Sequence, residues 1–260
     1  MDMAMKDRFL GLWGTYFPGA ELPITFYYAD EPRGVDEVEA ATKHRCFLAQ
    51  LAAVRKGRSL SFNNEAISCG GGKRYLGLPH GTMPDFEYFL SCGIPGKMEG
   101  ERYKKSPEIV LEMMKKAPVF EAPARYAVFK RWDRLEADDE PAVVIFQDKP
   151  DVLSGLFTLS GFEESDINAV IAPFSAGCGS ICQYPYLEQQ KENPRAVIGM
   201  FDVSARPWVK KNTLSFAVPM KKFARMVDDM EESFLITPSW GKVRKRMGLD
   251  AGGVSCDECT

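Results

Sequence analysis

The 260-residue chain carries 33 Lys and Arg against 36 Asp and Glu, a net charge of -3, with 45% hydrophobic and 27% charged residues. That is the balance of an ordinary globular protein, and no apolar run approaches the roughly 20 residues that span a bilayer, so a helical membrane protein is excluded. With two histidines, His44 and His80, chemistry built on several imidazoles is excluded as well.

The opening MDMAMKDRFLGLWGTYF sets Met5, Phe9, Leu12 and Tyr16 on one helical face. It lacks the basic start, continuous apolar stretch and cleavage site of a signal peptide, so a cytoplasmic location is expected. Seven cysteines there are reduced thiols. Val35 to Arg55 is read as a helix, with Ala40, His44, Phe47, Leu51 and Val54 on one side and Cys46, Ala49 and Ala53 on the other. Gly57 then stops it. The stretch from Leu78 to Glu101 is rich in Gly and Pro and is expected to form a lid or a subunit contact.

Ser106-Pro107-Glu108 opens a helix that should turn Ile109, Met113 and Ala117 inward. YAVFKRW and PAVVIFQ are strands joined by an acidic loop, Leu135 to Glu140. Pro150 begins a helix that Gly161 ends. AVIGMFD and LSFAV are further strands. Pro219 opens an amphipathic helix through Met220, Phe223, Val227, Met230 and Phe234. Thr237-Pro238 starts a last short helix bearing Lys242, Arg244, Lys245 and Arg246. The alternation indicates an α+β fold, a mixed sheet with several packed helices; mixed α/β is the alternative. Residues 1–247 are expected to form one unit, with 248–260 a flexible, Cys-containing tail.

Charge is unevenly spread. Asp133 to Asp166 holds ten acids against two bases, and Arg195 to Met247 holds eleven bases against five acids. The blocks are expected to pair within the fold or between copies of the chain, which leaves a homo-oligomer open. A basic C-terminal face that binds nucleic acid is a rival reading, ranked low because the pI is acidic and no base-stacking motif is visible.

Three constellations carry candidate chemistry. In SFNNEAISCGGGKRYLGL, Gly70, Gly71 and Gly72 follow Cys69 and precede Lys73 and Arg74. Consecutive glycines let main-chain N–H groups converge on an anion, and cations nearby add charge. The spacing is neither a Walker A loop nor a Rossmann fingerprint, and a tight turn between strands is the competing explanation. In FSAGCGSICQ, Cys178 and Cys182 lie four residues apart; with Cys256 and Cys259 in the tail they would supply four thiolates for zinc. An iron–sulfur cluster using Cys69 or Cys92 is a variant. Packing as small apolar residues competes for every internal cysteine. In FDVSARPW, Asp202, Ser204 and Arg206 alternate just beyond a strand. Arg206 would pair with Asp202 or hold a carboxylate or phosphate. His44 is read as a core or boundary residue, and His80 sits in a Pro-Gly loop without an orienting acid.

The ordered set HRCFLAQLAAVRKG, SCGGGKRYLGL, VVIFQDKPDVLSGLF, APFSAGCGSI, FDVSARPW and LSFAVPMKKF resembles the family called domain of unknown function 169, from about Thr42 to Met230. The resemblance implies a cytosolic protein with no established reaction. Cys69, Gly71, Gly77, Pro150, Cys178, Gly179, Arg206 and Pro219 occupy family-pattern positions, and the terminal CDEC falls outside the pattern. The leading expectation is a small anionic ligand or cofactor bound by Cys69, Gly70, Gly71, Gly72, Lys73, Cys178, Gly179 and Arg206. A metal or redox protein built on Cys178 and Cys182 is the alternative.

Overall fold

The computed structural model describes residues 1–251 except Arg33 and Thr82, with side chains through Gly248. In chain order the elements are α1 (Met3–Tyr16), β1 (Ile24–Ala29), β2 (Asp36–Glu37), α2 (Phe47–Arg55), β3 (Leu60–Phe62), α3 (Gly70–Tyr75) and α4 (Phe86–Phe89). Then come β4 (Gly93–Ile94), β5 (Met98–Glu99), α5 (Pro107–Lys116), β6 (Tyr126–Arg131), β7 (Val143–Asp148), α6 (Pro150–Ser160) and β8 (Val170–Ile171). The chain continues with α7 (Tyr184–Gln189), β9 (Ala196–Gly199), β10 (Leu214–Pro219), α8 (Met220–Asp229) and α9 (Pro238–Ala251).

Among the described residues eight strands form one mixed sheet in the order β2-β3-β6-β1-β7-β10-β9-β8, and β4 pairs with β5 in a separate hairpin. Only the edge pairs β2–β3 and β8–β9 are parallel within the described sheet. Both sheet faces are covered, which is why PAVVIFQ reads as a continuous apolar run. Val143 and Ile145 face a core shared with α2, α3 and Cys178–Cys182. Val144 and Phe146 face the opposite core, built from α1, α6, α8 and α9. The result is the expected α+β architecture, with helices on both sides of a mainly antiparallel sheet.

Two local expectations are corrected. Val35 to Cys46 is not helical: Asp36 and Glu37 pair with Leu60 and Ser61 at the sheet edge, so helix α2 begins only at Phe47. The edge ladder uses backbone groups that a helix would have kept, and His44 is left exposed. In α5 the buried side chain is Val110, while Ile109 is exposed, so the apolar face is set one residue later. Strands β6 and β7 are joined through the acidic loop as expected, and β1 lies between them in the sheet. Helix α9 runs through Ala251, and residues 252–260 lie outside the described residues.

Opposite charges meet across the fold. Glu164 pairs with the buried Lys222 at 2.8 Å, and Asp151 pairs with Arg246. The acidic and basic blocks thus neutralise each other in part, and Arg244 is directed to the carbonyl of Thr15. Lys130, buried in β6, is paired with the buried Asp139 at 2.9 Å, and Tyr27 donates its hydroxyl to the same carboxylate. Burying that ion pair is tolerable because its remaining lone pairs are satisfied, one of them by the amide of Glu136 at 2.7 Å. Among the described residues no helix is long and apolar enough to cross a membrane.

Candidate functional site

Cys69 is the N-cap of α3. Its backbone is extended and its Sγ accepts the amide of Gly72 at 3.4 Å. The three glycines therefore open a short helix; they do not form a turn between strands. Their roles differ. A Cβ on Gly72 would lie 3.0 Å from Phe47 Cβ and 3.1 Å from Ile67, so a larger residue there would press on both. A Cβ on Gly70 would meet nothing within 4 Å, and one on Gly71 only the Cys69 sulfur at 3.9 Å. Neither has a left-handed φ.

Cys178 and Cys182 lie on a helix as well. Gly177 and Cys178 start it, residues Gly179–Gln183 form one π-turn, and α7 follows directly. Single π-turns inside helices are rare and recur at functional sites. The turn is clasped by its neighbours. A Cβ on Gly179 would sit 2.9 Å from the Tyr75 ring, and one on Gly177 would sit 2.8 Å from Leu48 and 2.9 Å from Met200. Met200 is buried at φ 67°, a left-handed conformation that costs a non-glycine residue about 1–2 kcal/mol.

Cys46 and Cys69 pack against the core cluster that contains Cys178 and Cys182. Burial pushes both of the latter thiols up in pKa; for Cys178 the nearby Cys182, Cys69, Cys46 and Asp202 push in the same direction. They are held as neutral thiols. Among the described residues no group of three or more His, Cys, Asp and Glu is disposed to hold a metal ion. Cys256 and Cys259 lie outside the described residues, and Cys92 is exposed.

The segment from Met200 to Trp208 turns rather than extending. Asp202 Oδ1 accepts both the amide and the hydroxyl of Ser204, at 3.0 and 2.8 Å, while Oδ2 accepts the amide of Gly177 at 3.0 Å. Arg206 is not paired with Asp202. Its Nη1 donates to the carbonyl of Thr213 at 2.6 Å and to that of Met200 at 3.4 Å, closing the loop on itself. Ala205 would lie 3.2 Å from a Cβ on Gly177, so this loop covers the start of the Cys178 helix.

Positions 69 and 178 are thus brought together; position 206 lies on the adjoining loop with that nitrogen directed to backbone carbonyls. Lys73 and Arg74, on α3, have no carboxylate partner among the described residues, and Arg74 lies 5.8 Å from the centre of the Phe86 ring. Phe174, Phe201, Val203 and Trp208 are exposed on the two segments that meet at Gly177, and Lys104 Nζ lies 3.6 Å from the centre of the Phe174 ring. Sequence reasoning passed over Tyr75, whose hydroxyl accepts the Ala176 amide at 3.5 Å and whose pKa burial raises. Its position one residue beyond the Lys73–Arg74 pair was the available signal.

A family model described as domain of unknown function 169, uncharacterised ArCR, matches residues 21–229. The chain belongs to this family. The match covers Cys69, the three glycines, the Cys178 turn and the Arg206 loop of this member of the domain of unknown function 169 family. It leaves out the first twenty residues of the chain and all of α9. Comparison with curated proteins and with solved structures gave no match.

Proposed function

We propose that this protein binds a small anionic ligand at the start of α3, beside the Cys178 turn. The observation that carries the reading is the environment of Gly70 and Gly71. Glycine in a helix costs about 0.5–1 kcal/mol relative to alanine. It is normally kept for a left-handed φ, a tight contact, or close approach of the backbone to something else. The first two reasons do not apply at these positions. The third remains, and the first amides of a helix have no intrahelical acceptor. A ligand there would meet two N–H donors, the ammonium of Lys73, and the half-buried Cys69 sulfur. Negative charge suits the donors and the unpaired cations. The π-turn and the left-handed Met200 next to Cys178 support the location, since strained backbone clusters at functional sites.

The test is a thermal-shift and calorimetric titration with inorganic phosphate, sulfate and small dicarboxylates, on the native chain and a Gly70→Ala/Gly71→Ala variant. The variant should melt higher without ligand, by about 1–2 kcal/mol in total, and should lose the ligand-dependent shift. A variant that binds the same anion with unchanged affinity overturns the reading, as does a native chain that binds none of them.

A further inference from the structure

A cleft opens at the far end of α3, away from Cys69. Its volume is ≈ 640 Å³, within the roughly 300–1,000 Å³ typical of small-molecule sites. The strands explain why it exists. Phe62 of β3 and Ala127 of β6 are the last paired residues, and beyond them the two chains diverge. Asn64 and Arg125 would be the opposed pair two residues further on, and they line the gap instead. The third side is Gly77–Pro79, anchored where the Ala122 amide donates to Gly77 O at 2.8 Å. Gly77 is required here: its φ is 65°, and a Cβ would fall 2.6 Å from Ala122 N.

The lining has unused polar groups of both kinds. Asn63 is fully employed, its amide on Glu37 and its oxygen on the Ala66 amide. Asn64 Oδ1, one residue on, is buried with no hydrogen-bond partner. That oxygen is closed to solvent and takes no part in the cleft's chemistry. Arg125 has its guanidinium 5.2 Å from the Tyr126 ring centre. It makes no ion pair among the described residues, although Glu65 and Glu121 line the same cleft and are likewise unpaired. Opposite charges held apart in one concavity fit a ligand that carries both signs.

We infer that this cleft binds a free α-amino acid with an apolar side chain. Arg125 receives the carboxylate in a forked contact. Glu65 and Glu121 receive the ammonium. Val119 and Phe120 receive the side chain. The site is separate from the anion site at Gly70–Gly71 and stands or falls without it.

The experiment is calorimetric titration of the full chain with L-leucine and L-phenylalanine. Controls are 3-methylbutylamine, which lacks the carboxylate, and 4-methylpentanoate, which lacks the ammonium. An amino acid should bind, and both truncated compounds should bind at least tenfold more weakly. Arg125→Gln should abolish the preference for the amino acid over the amine. Glu65→Gln/Glu121→Gln should leave the unliganded melting temperature unchanged, because both side chains are exposed and make no ion pair among the described residues, yet weaken amino-acid binding at least tenfold; a purely structural role does not predict that split. The inference is overturned if no amino acid binds at millimolar concentration, if the amine binds as tightly as the amino acid, or if Glu65→Gln/Glu121→Gln leaves affinity unchanged. Retention of binding by the Gly70→Ala/Gly71→Ala variant is expected, and its loss also counts against two separate sites.

Discussion

Asp202 Oδ2 accepts the main-chain amide of Gly177 at 3.0 Å, tying the loop after β9 to the residue that precedes Cys178. The same carboxylate caps Ser204, so one side chain holds both the loop and the turn. Hydrogen bonds to a charged group contribute about 1.5–3 kcal/mol. Asp202→Ala should therefore lower stability by about that amount in urea denaturation, and should also raise the rate at which Cys178 reacts with a thiol reagent in the folded state. Unchanged labelling of Cys178 would show that the loop does not control access to it.

The thiols themselves should react in a fixed order. Thiol reagents attack the thiolate, so burial that raises a thiol's pKa slows it. Cys92 is exposed, whereas Cys178 and Cys182 are buried with raised pKa. Peptide mapping after brief alkylation of the native chain at neutral pH should find Cys92 modified before Cys178 and Cys182. Cys178 and Cys182 should be modified only once the protein unfolds. Native labelling of Cys178 as fast as Cys92 would contradict the buried placement.

The strands and most helices were legible because their signals are local. Pro150 and Gly161 bound α6 as expected, and the 3-4 spacing from Met220 to Met230 is α8. The edge strand β2 was not legible. Asp36 and Glu37 have no strand character of their own, and they are extended only because β3 offers unpaired backbone groups. The candidate site divided along the same line. Cys69 and Cys178 stood out through their glycine neighbours. That Gly72 fills a packing need while Gly70 and Gly71 do not depends on Phe47 and Ile67, which arrive from other segments. The π-turn at Gly179–Gln183 arises from tertiary packing against Tyr75 and Met200, and no spacing in the sequence announces it.

Gly155 should respond oppositely to Gly70 and Gly71. It lies in α6, where alanine would favour the helix by about 1 kcal/mol. A Cβ there would fall 2.5 Å from the Trp240 ring and 2.8 Å from Phe17, both buried. Trp240 cannot easily retreat, because its Nε1 donates to Tyr16 O at 2.9 Å. Overpacking a well-filled core costs about 1–3 kcal/mol, so Gly155→Ala should be destabilising on balance. A thermal melt that rises with this substitution would mean that α9 moves away from α6 at little cost.

Asp229, buried at the C-terminal end of α8, supplies a pH dependence. Burial pushes its carboxyl up from 3.8 to about 6, reinforced by Glu163, Glu232 and Asp228 and opposed by Arg225. The helix end adds unfavourable negative potential. Between about pH 4 and about pH 6 the folded chain keeps a proton that the unfolded chain has released, so this group makes stability fall as pH rises through that window. Above the window the carboxylate is charged and disfavoured. Asp229→Asn removes the penalty, so it should stabilise the protein near pH 8 by about 1–3 kcal/mol and have little effect near pH 4. Urea denaturation of both chains at the two pH values checks the sign. An equal loss of stability at both would show that the carboxylate is held by favourable contacts with Arg225 instead.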